Sequence, residues 1–225
     1  MADVFREVDE DLRREQFRKA WKRWAPYVYG AAFLIVAAVS GYKLWEYVRD
    51  AQAQATGDRF IAALNLSADG EYEQAIDALE SIVEDGSGGY PILARMRVAA
   101  DEAAHGNTEA AIAHYDTIAA DGAVPTEIRN IAALRAAMLV VDRVDFADLT
   151  RRIGDLATVG NPWRHTAREI LGLGAWRAGD YAAAEKYFAD INNDQETPDD
   201  MRNRSRLMLT LIAAASPDST EANEG

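Results

Sequence analysis

Gly70-Glu71-Tyr72-Glu73-Gln74-Ala75 recurs three times along the chain: as Gly106-Asn107-Thr108-Glu109-Ala110-Ala111, more loosely as Val144-Asp145-Phe146 leading to Leu149, and as Gly179-Asp180-Tyr181 leading to Ala184. The copies stand 36, 38 and 35 residues apart. A period of that length is the span of one helix pair, a unit that cannot bury its apolar face alone and therefore stacks on its neighbours. The repeat thus predicts an all-α solenoid of helical hairpins, with each copy as the turn between helix A and helix B.

Residues at fixed offsets from the turn have the sizes that helix packing demands. Five residues on stand Ala75, Ala111, Leu149 and Ala184; nine on, Leu79, Tyr115, Ile153 and Phe188; twelve on, Ile82, Ile118, Leu156 and Ile191. Offsets of 5, 9 and 12 form an i, i+4, i+7 stripe, the apolar face of helix B. Seven residues before each turn stand Ala63, Ala99, Ala137 and Gly172, small enough for a neighbouring backbone to approach. Pro91, Pro125, Pro162 and Pro198 keep the same phase, each just ahead of an A helix, where a missing N–H does no harm. Asn161 and Thr197 beside the last two prolines are candidate N-caps.

Small residue, Gly-Asp-Tyr turn, alanine and aromatic at these offsets resemble the tetratricopeptide repeat. The third copy departs from it, with Val144 for glycine and Leu149 for alanine. The pattern places helices near 50–67, 71–84, 91–104, 108–120, 126–140, 145–157, 162–178, 181–190 and 198–214. The last is expected to solvate the end of the array, turning Arg202, Asn203 and Arg206 outward and Met201, Leu207, Met208 and Leu209 back onto it.

Ahead of the repeats, Tyr27 to Tyr42 holds no charged residue, and Pro26 to Trp45 holds only Lys43, whose long stem reaches headgroups. Trp21, Trp24, Tyr27 and Tyr29 border this run on one side and Tyr42, Trp45 and Tyr47 on the other, the aromatic belts of a bilayer span. Arg13, Arg14, Arg18, Lys19, Lys22 and Arg23 precede it against one acid, Glu15, so the amino terminus is expected to stay in the cytoplasm. This organisation reads as a cytoplasmic basic segment over 1–25, a transmembrane helix over 26–48, a repeat domain over 49–215 and a disordered acidic tail over 216–225. Two rival readings of the apolar run are a cleaved signal peptide, for which Ala51-Gln52-Ala53-Gln54-Ala55 offers small residues, and a buried core helix. The first has an unusually long basic region; the second needs more burial than a thin array supplies.

The whole chain carries a formal charge of −13, and the part beyond residue 26 carries −14. Such a domain is repelled by nucleic acid and by anionic lipid. There is no cysteine, so the chain has neither disulfide nor thiol chemistry. His105, His114 and His165 are not spaced to share a helical face and are read as surface or turn residues, not metal ligands. The carboxylate pairs Glu84-Asp85 and Asp199-Asp200 lack a partner for acid-base work, and the second suits the positive end of a helix dipole. Gly86-Ser87-Gly88-Gly89 lacks the lysine and hydroxyl of a phosphate loop and reads as a linker. No catalytic, cofactor-binding or metal residue is assigned, and no enzyme is expected. Arg59, Arg95 and Arg168 share one position eleven residues before the turn, which fits either an anion-reading row or pairing with nearby acids.

The tetratricopeptide resemblance implies an inner groove lined by helix A, at Phe60, Leu64, Leu93, Met96, Leu173 and Trp176. An apolar groove suits unfolded chains or an amphipathic helix, or else these side chains fill the array's own core. The order of Phe5-Arg6-Glu7-Val8-Asp9-Glu10, a basic stretch, one span and degenerate repeats ending in Asn161-Pro162-Trp163-Arg164, Ala167-Arg168-Glu169 and Gly179-Asp180-Tyr181 resembles the YfgM-like family. That resemblance implies a non-enzymatic ancillary subunit of the Sec translocon in the bacterial inner membrane. It would have a periplasmic domain that passes emerging clients to periplasmic chaperones. A periplasmic coordinator of envelope assembly or cell division is the alternative.

Overall fold

The computed structural model describes residues 2–216, and all its regular structure is helical, with no strand among the described residues. The expected tail lies, from residue 217 on, outside the described residues. The chain divides between Ala55 and Thr56 into two compact units.

The first unit is the leading part of α1 (Ala2–Ala68). No helix boundary separates residues 2–25, 26–48 and 50–67, which the sequence pattern set apart. Pro26 sits within this helix, where its ring removes one backbone hydrogen bond. From Tyr29 to Val48 the large apolar side chains are exposed all round the helix, Phe33, Leu34, Ile35 and Val36 in succession. A helix apolar on every side has no preferred face to turn to a protein core. One stretch near the N-terminus, Tyr29–Ala68, is long and apolar enough to cross a membrane, and none of its apolar window is buried.

The second unit is a stack of hairpins. Residues 56–68 of α1 pair with α2 (Tyr72–Asp85), α3 (Tyr90–Ala104) with α4 (Thr108–Ala120), α5 (Thr126–Val140) with α6 (Phe146–Ile153), and α7 (Arg164–Arg177) with α8 (Tyr181–Asn193). A short 3₁₀ turn over Gly154–Ala157 follows α6, and α9 (Asp199–Ala215) closes the series. Of the twelve stripe residues named above, eleven are buried, Leu156 alone being intermediate. The four small residues before the turns are all buried. Gly172 meets a stripe aromatic: a Cβ there would lie 2.8 Å from the ring of Phe188.

Three of the four turns are the same object. At Gly70, Gly106 and Gly179 φ is positive, 80°, 96° and 75°. The N–H of each following residue reaches back five positions: Glu71 to the Leu66 carbonyl, Asn107 to Glu102 and Asp180 to Ala175. This is the Schellman end, which satisfies the last carbonyls of a helix and needs a residue that tolerates the left-handed region. The third turn has no residue with positive φ; it runs two residues longer, and Arg143 and Val144 both bond back to Val140.

Several local expectations are corrected. Thr197 does not cap α9; its hydroxyl donates to the Ile191 carbonyl while Pro198 takes the N-cap position. Asn161 accepts from the Trp163 N–H in the turn ahead of α7. The Gly-Ser-Gly-Gly linker is pinned, since the Ser87 N–H donates to the Thr56 hydroxyl at 3.3 Å. On α9, Leu207 turns outward instead of back. Arg202 is half-buried, donating to the carbonyls of Asp194 and Thr197. Met201, Met208 and Leu209 do pack inward, around Ile212 and Phe188.

Candidate protein-binding face

The six groove residues fall into two groups. Phe60, Met96 and Trp176 pack partly against the core, Phe60 with its ring 5.7 Å from Tyr90 and Trp176 with its ring 5.1 Å from Tyr181. Leu64 is half-buried, whereas Leu93 and Leu173 are exposed at 43% and 39%. The mixture follows from the width of helix A: one edge of its apolar stripe faces its own helix B, the other looks away from it. Leu64 and Leu173 share an offset six residues before the turn, and Met138, 54% exposed, has the same offset in the third hairpin. Met138 was not among the expected residues, although the period alone places it beside them. Its flexible thioether suits a surface that must adapt to differing apolar partners.

The arginine row is structural. Arg59 donates to Asp85 at 2.8 Å and to Ser81, and Arg95 donates to Asp121 at 2.7 Å. Arg168 donates to the carbonyl of Ala157 and stands 3.5 Å from Asp194. Asp85, Asp121 and Asp194 all lie fifteen residues after their turns, so one arginine on helix A meets one aspartate at the end of helix B in three hairpins. The third hairpin has Ala133 and Val159 at these two places and so lacks both members. Pairing with nearby acids was one of the two expectations, but Asp121 and Asp194 were not singled out; their constant spacing of 26 from the arginines is the signal that picks them.

Asp194 gathers more than its counterparts. Arg164 donates to both its oxygens, at 2.7 and 3.2 Å, and His165 Nε2 lies 3.0 Å away. The Arg164 guanidinium, then His165, hold the Asp194 carboxyl well below the usual carboxylate range. Arg164 is raised in turn by Asp194 and Glu196. His165 is therefore buried within α7, not a surface or turn histidine. His105 does sit at a helix end, beside Tyr72. Asp121 is likewise lowered by the Arg95 hydrogen bond, and Asp200 in the first turn of α9 by Arg204.

A hollow of about 330 Å³ lies among Glu80, Val83 and Glu84 of α2, Arg95 and Val98 of α3 and His114 of α4. Its polar groups are of mixed sign and do not converge on one point of charge. Among the described residues no three histidines or carboxylates are grouped to hold a metal ion.

Hairpins in phase, glycine turns and a small-to-large stripe define a helical-repeat interaction module. Residues 18–172 match the tetratricopeptide repeat-like domain family, and the chain belongs to that family. The same turn and stripe continue beyond the match through α7, α8 and Gly179. No curated protein matches the sequence. Domains of this kind are protein-interaction modules and generally non-catalytic, so the chain is a scaffold for protein partners.

Proposed function

We propose that this chain is a single-pass scaffold of the bacterial inner membrane that serves the Sec translocon, linking emerging chains to periplasmic chaperones. Residues 26–48 cross the bilayer, residues 1–25 remain in the cytoplasm, and the repeat domain over 49–215, with the tail over 216–225, stands in the periplasm. The observation that carries the reading is the exposed, all-round apolar helix joined to a protein-interaction module. Aromatic belts and the basic cluster before the span support the orientation, and the YfgM-like order of segments supports the translocon as partner. Tethering also raises the effective concentration of the repeats towards a membrane partner, so that a weak contact suffices. Client contact falls on Phe60, Leu64, Leu93, Met96, Leu173 and Trp176, with Met138 added.

Photo-crosslinkers at Leu93 and Leu173 in living cells test the reading. Adducts with translocon subunits, periplasmic chaperones or nascent secreted chains are expected. Adducts with division or envelope-assembly proteins alone, with lipid alone, or none at all would refute it. Protease added to spheroplasts should remove the repeat domain and spare the basic segment.

A further inference from the structure

The last helix repeats the face of α5, and among the described residues no helix covers it as α6 covers α5. Pro125-Thr126-Glu127-Ile128-Arg129-Asn130 aligns with Pro198-Asp199-Asp200-Met201-Arg202-Asn203, a shift of 73 residues. Both prolines stand at the N-cap with nearly equal backbone angles, φ −52° and ψ 141° against φ −57° and ψ 144°. In this register Ala132 matches Ser205, and both are buried against the preceding helix B. Leu134 matches Leu207, Ala137 matches Thr210 and Met138 matches Leu211.

The burial of these pairs then diverges. Leu134, Ala137 and Val140 form one cluster with Leu149 and Ile153 of α6, and Leu134 is 4% exposed. Leu207 is 62% exposed, and Thr210 and Ala213 are exposed with it. By register α9 is thus a fifth helix A, and among the described residues no helix B of its own lies against it.

Charge specifies what fits. Aligned on α5, Arg206 stands where Arg59, Arg95 and Arg168 stand in their hairpins, eleven residues before the turn position. Each of those three meets an aspartate at the end of its own helix B. Among the described residues no carboxylate pairs with the exposed Arg206 guanidinium. The covering helices in this chain share a pattern: Ala75, Leu79, Ile82, Asp85; Ala111, Tyr115, Ile118, Asp121; Ala184, Phe188, Ile191, Asp194.

We propose that α9 is a docking site for one amphipathic helix of a partner protein. That helix bears an alanine, a large apolar residue and an isoleucine at i, i+4 and i+7, and an aspartate at i+10. The stripe covers Leu207, Thr210 and Ala213, the counterparts of Leu134, Ala137 and Val140, and the aspartate pairs with Arg206. Helix-in-groove recognition of this type is read from i, i+4, i+7 anchors. The site is distinct from the helix A face assigned to clients, so either can fail without the other.

The probe is the chain's own covering helix, a labelled peptide of residues 179–195, titrated against the full chain in lipid nanodiscs. Saturable binding is expected, weakened at least tenfold by Leu207→Asp; because Leu207 is exposed, the circular dichroism of that variant should match the wild type. Arg206→Glu should weaken binding several-fold, and a peptide carrying Asp194→Arg should restore it on that variant alone. No binding, or binding indifferent to Leu207→Asp, would overturn the proposal. So would a dimer of the full chain that Leu207→Asp dissociates, because the occupant would then be a second copy.

Discussion

Hairpin three (α5 and α6) lacks the devices that hold hairpin four (α7 and α8). The fourth has a glycine turn at Gly179, an arginine-to-aspartate link from Arg164 and Arg168 to Asp194, and a small residue, Ala184, at the head of its stripe. The third has Val144, the pair Ala133 and Val159, and Leu149 in those places. Yet Leu149 and Ile153 are as buried as Ala184 and Phe188. Gly174 on α7 explains how, for a Cβ there would collide with the Leu149 side chain. The larger residue on one helix is met by the smallest on the next, so the repeat is conserved as volume across a pair of hairpins and not as residue type within one.

The largest test of this contrast lies at that contact. Leu149→Ala should cost about 2–5 kcal/mol, the usual loss for emptying a buried leucine site. Gly174→Ala should cost about 1–3 kcal/mol by overpacking, offset by about 1 kcal/mol from removing glycine from a helix, a net loss of about 0–2 kcal/mol. The double variant should be more stable than the sum of the two, because the new methyl enters the space that the leucine left. Urea unfolding of all three decides it. Strict additivity would mean that hairpin three does not depend on the glycine of hairpin four.

Next in size is the carboxylate at the end of helix B. Asp194→Asn removes the charge that faces Arg164, His165 and Arg168 and turns one of its two acceptor oxygens into a donor, and should cost about 1.5–3 kcal/mol, the range for hydrogen bonds to charged groups. Because the folded Asp194 carboxyl lies below its ordinary value, its contribution is complete above about pH 4. It is lost as pH falls further, through the lowered folded value. The gap in unfolding free energy between wild type and variant should therefore be full at pH 7 and shrink below about pH 4. A gap that is flat with pH would show that geometry, not charge, is what hairpin four gains from Asp194.

These contrasts also mark how far the sequence could be read. The period placed every helix of the repeat unit, because turn glycines, prolines and a buried stripe are local signals that recur in phase. α9 was misjudged at Leu207 and Arg202, since a pattern of apolar residues reports amphipathicity but not whether a covering helix exists. His165 was misjudged because burial of an imidazole depends on Asp194, 29 residues away. The arginine row was left between two roles until its aspartates were seen across the hairpin. The proposed client face was readable only as offsets, and which of its residues stay exposed depends on packing against neighbouring helices that the offsets do not report.

The smallest expected effect concerns the turns themselves. Gly179→Ala forces a side chain into φ +75° and should cost about 1–2 kcal/mol, the penalty of the left-handed region for an L-residue. At Val144 φ is not positive, so Val144→Gly meets no strain to relieve. It adds backbone entropy to the unfolded chain and removes a half-buried side chain packed on the core of hairpin three, and should be destabilising by at least about 0.5–1 kcal/mol. The two substitutions thus have the same sign although they run in opposite chemical directions. That result, read as two lowered urea midpoints with unchanged slope, fits a third turn closed by a different hydrogen-bond pattern and two more residues. Stabilisation by Val144→Gly would instead mean that the third turn strains towards the Schellman geometry of its neighbours, and the difference between the hairpins would reduce to one unfavourable side chain.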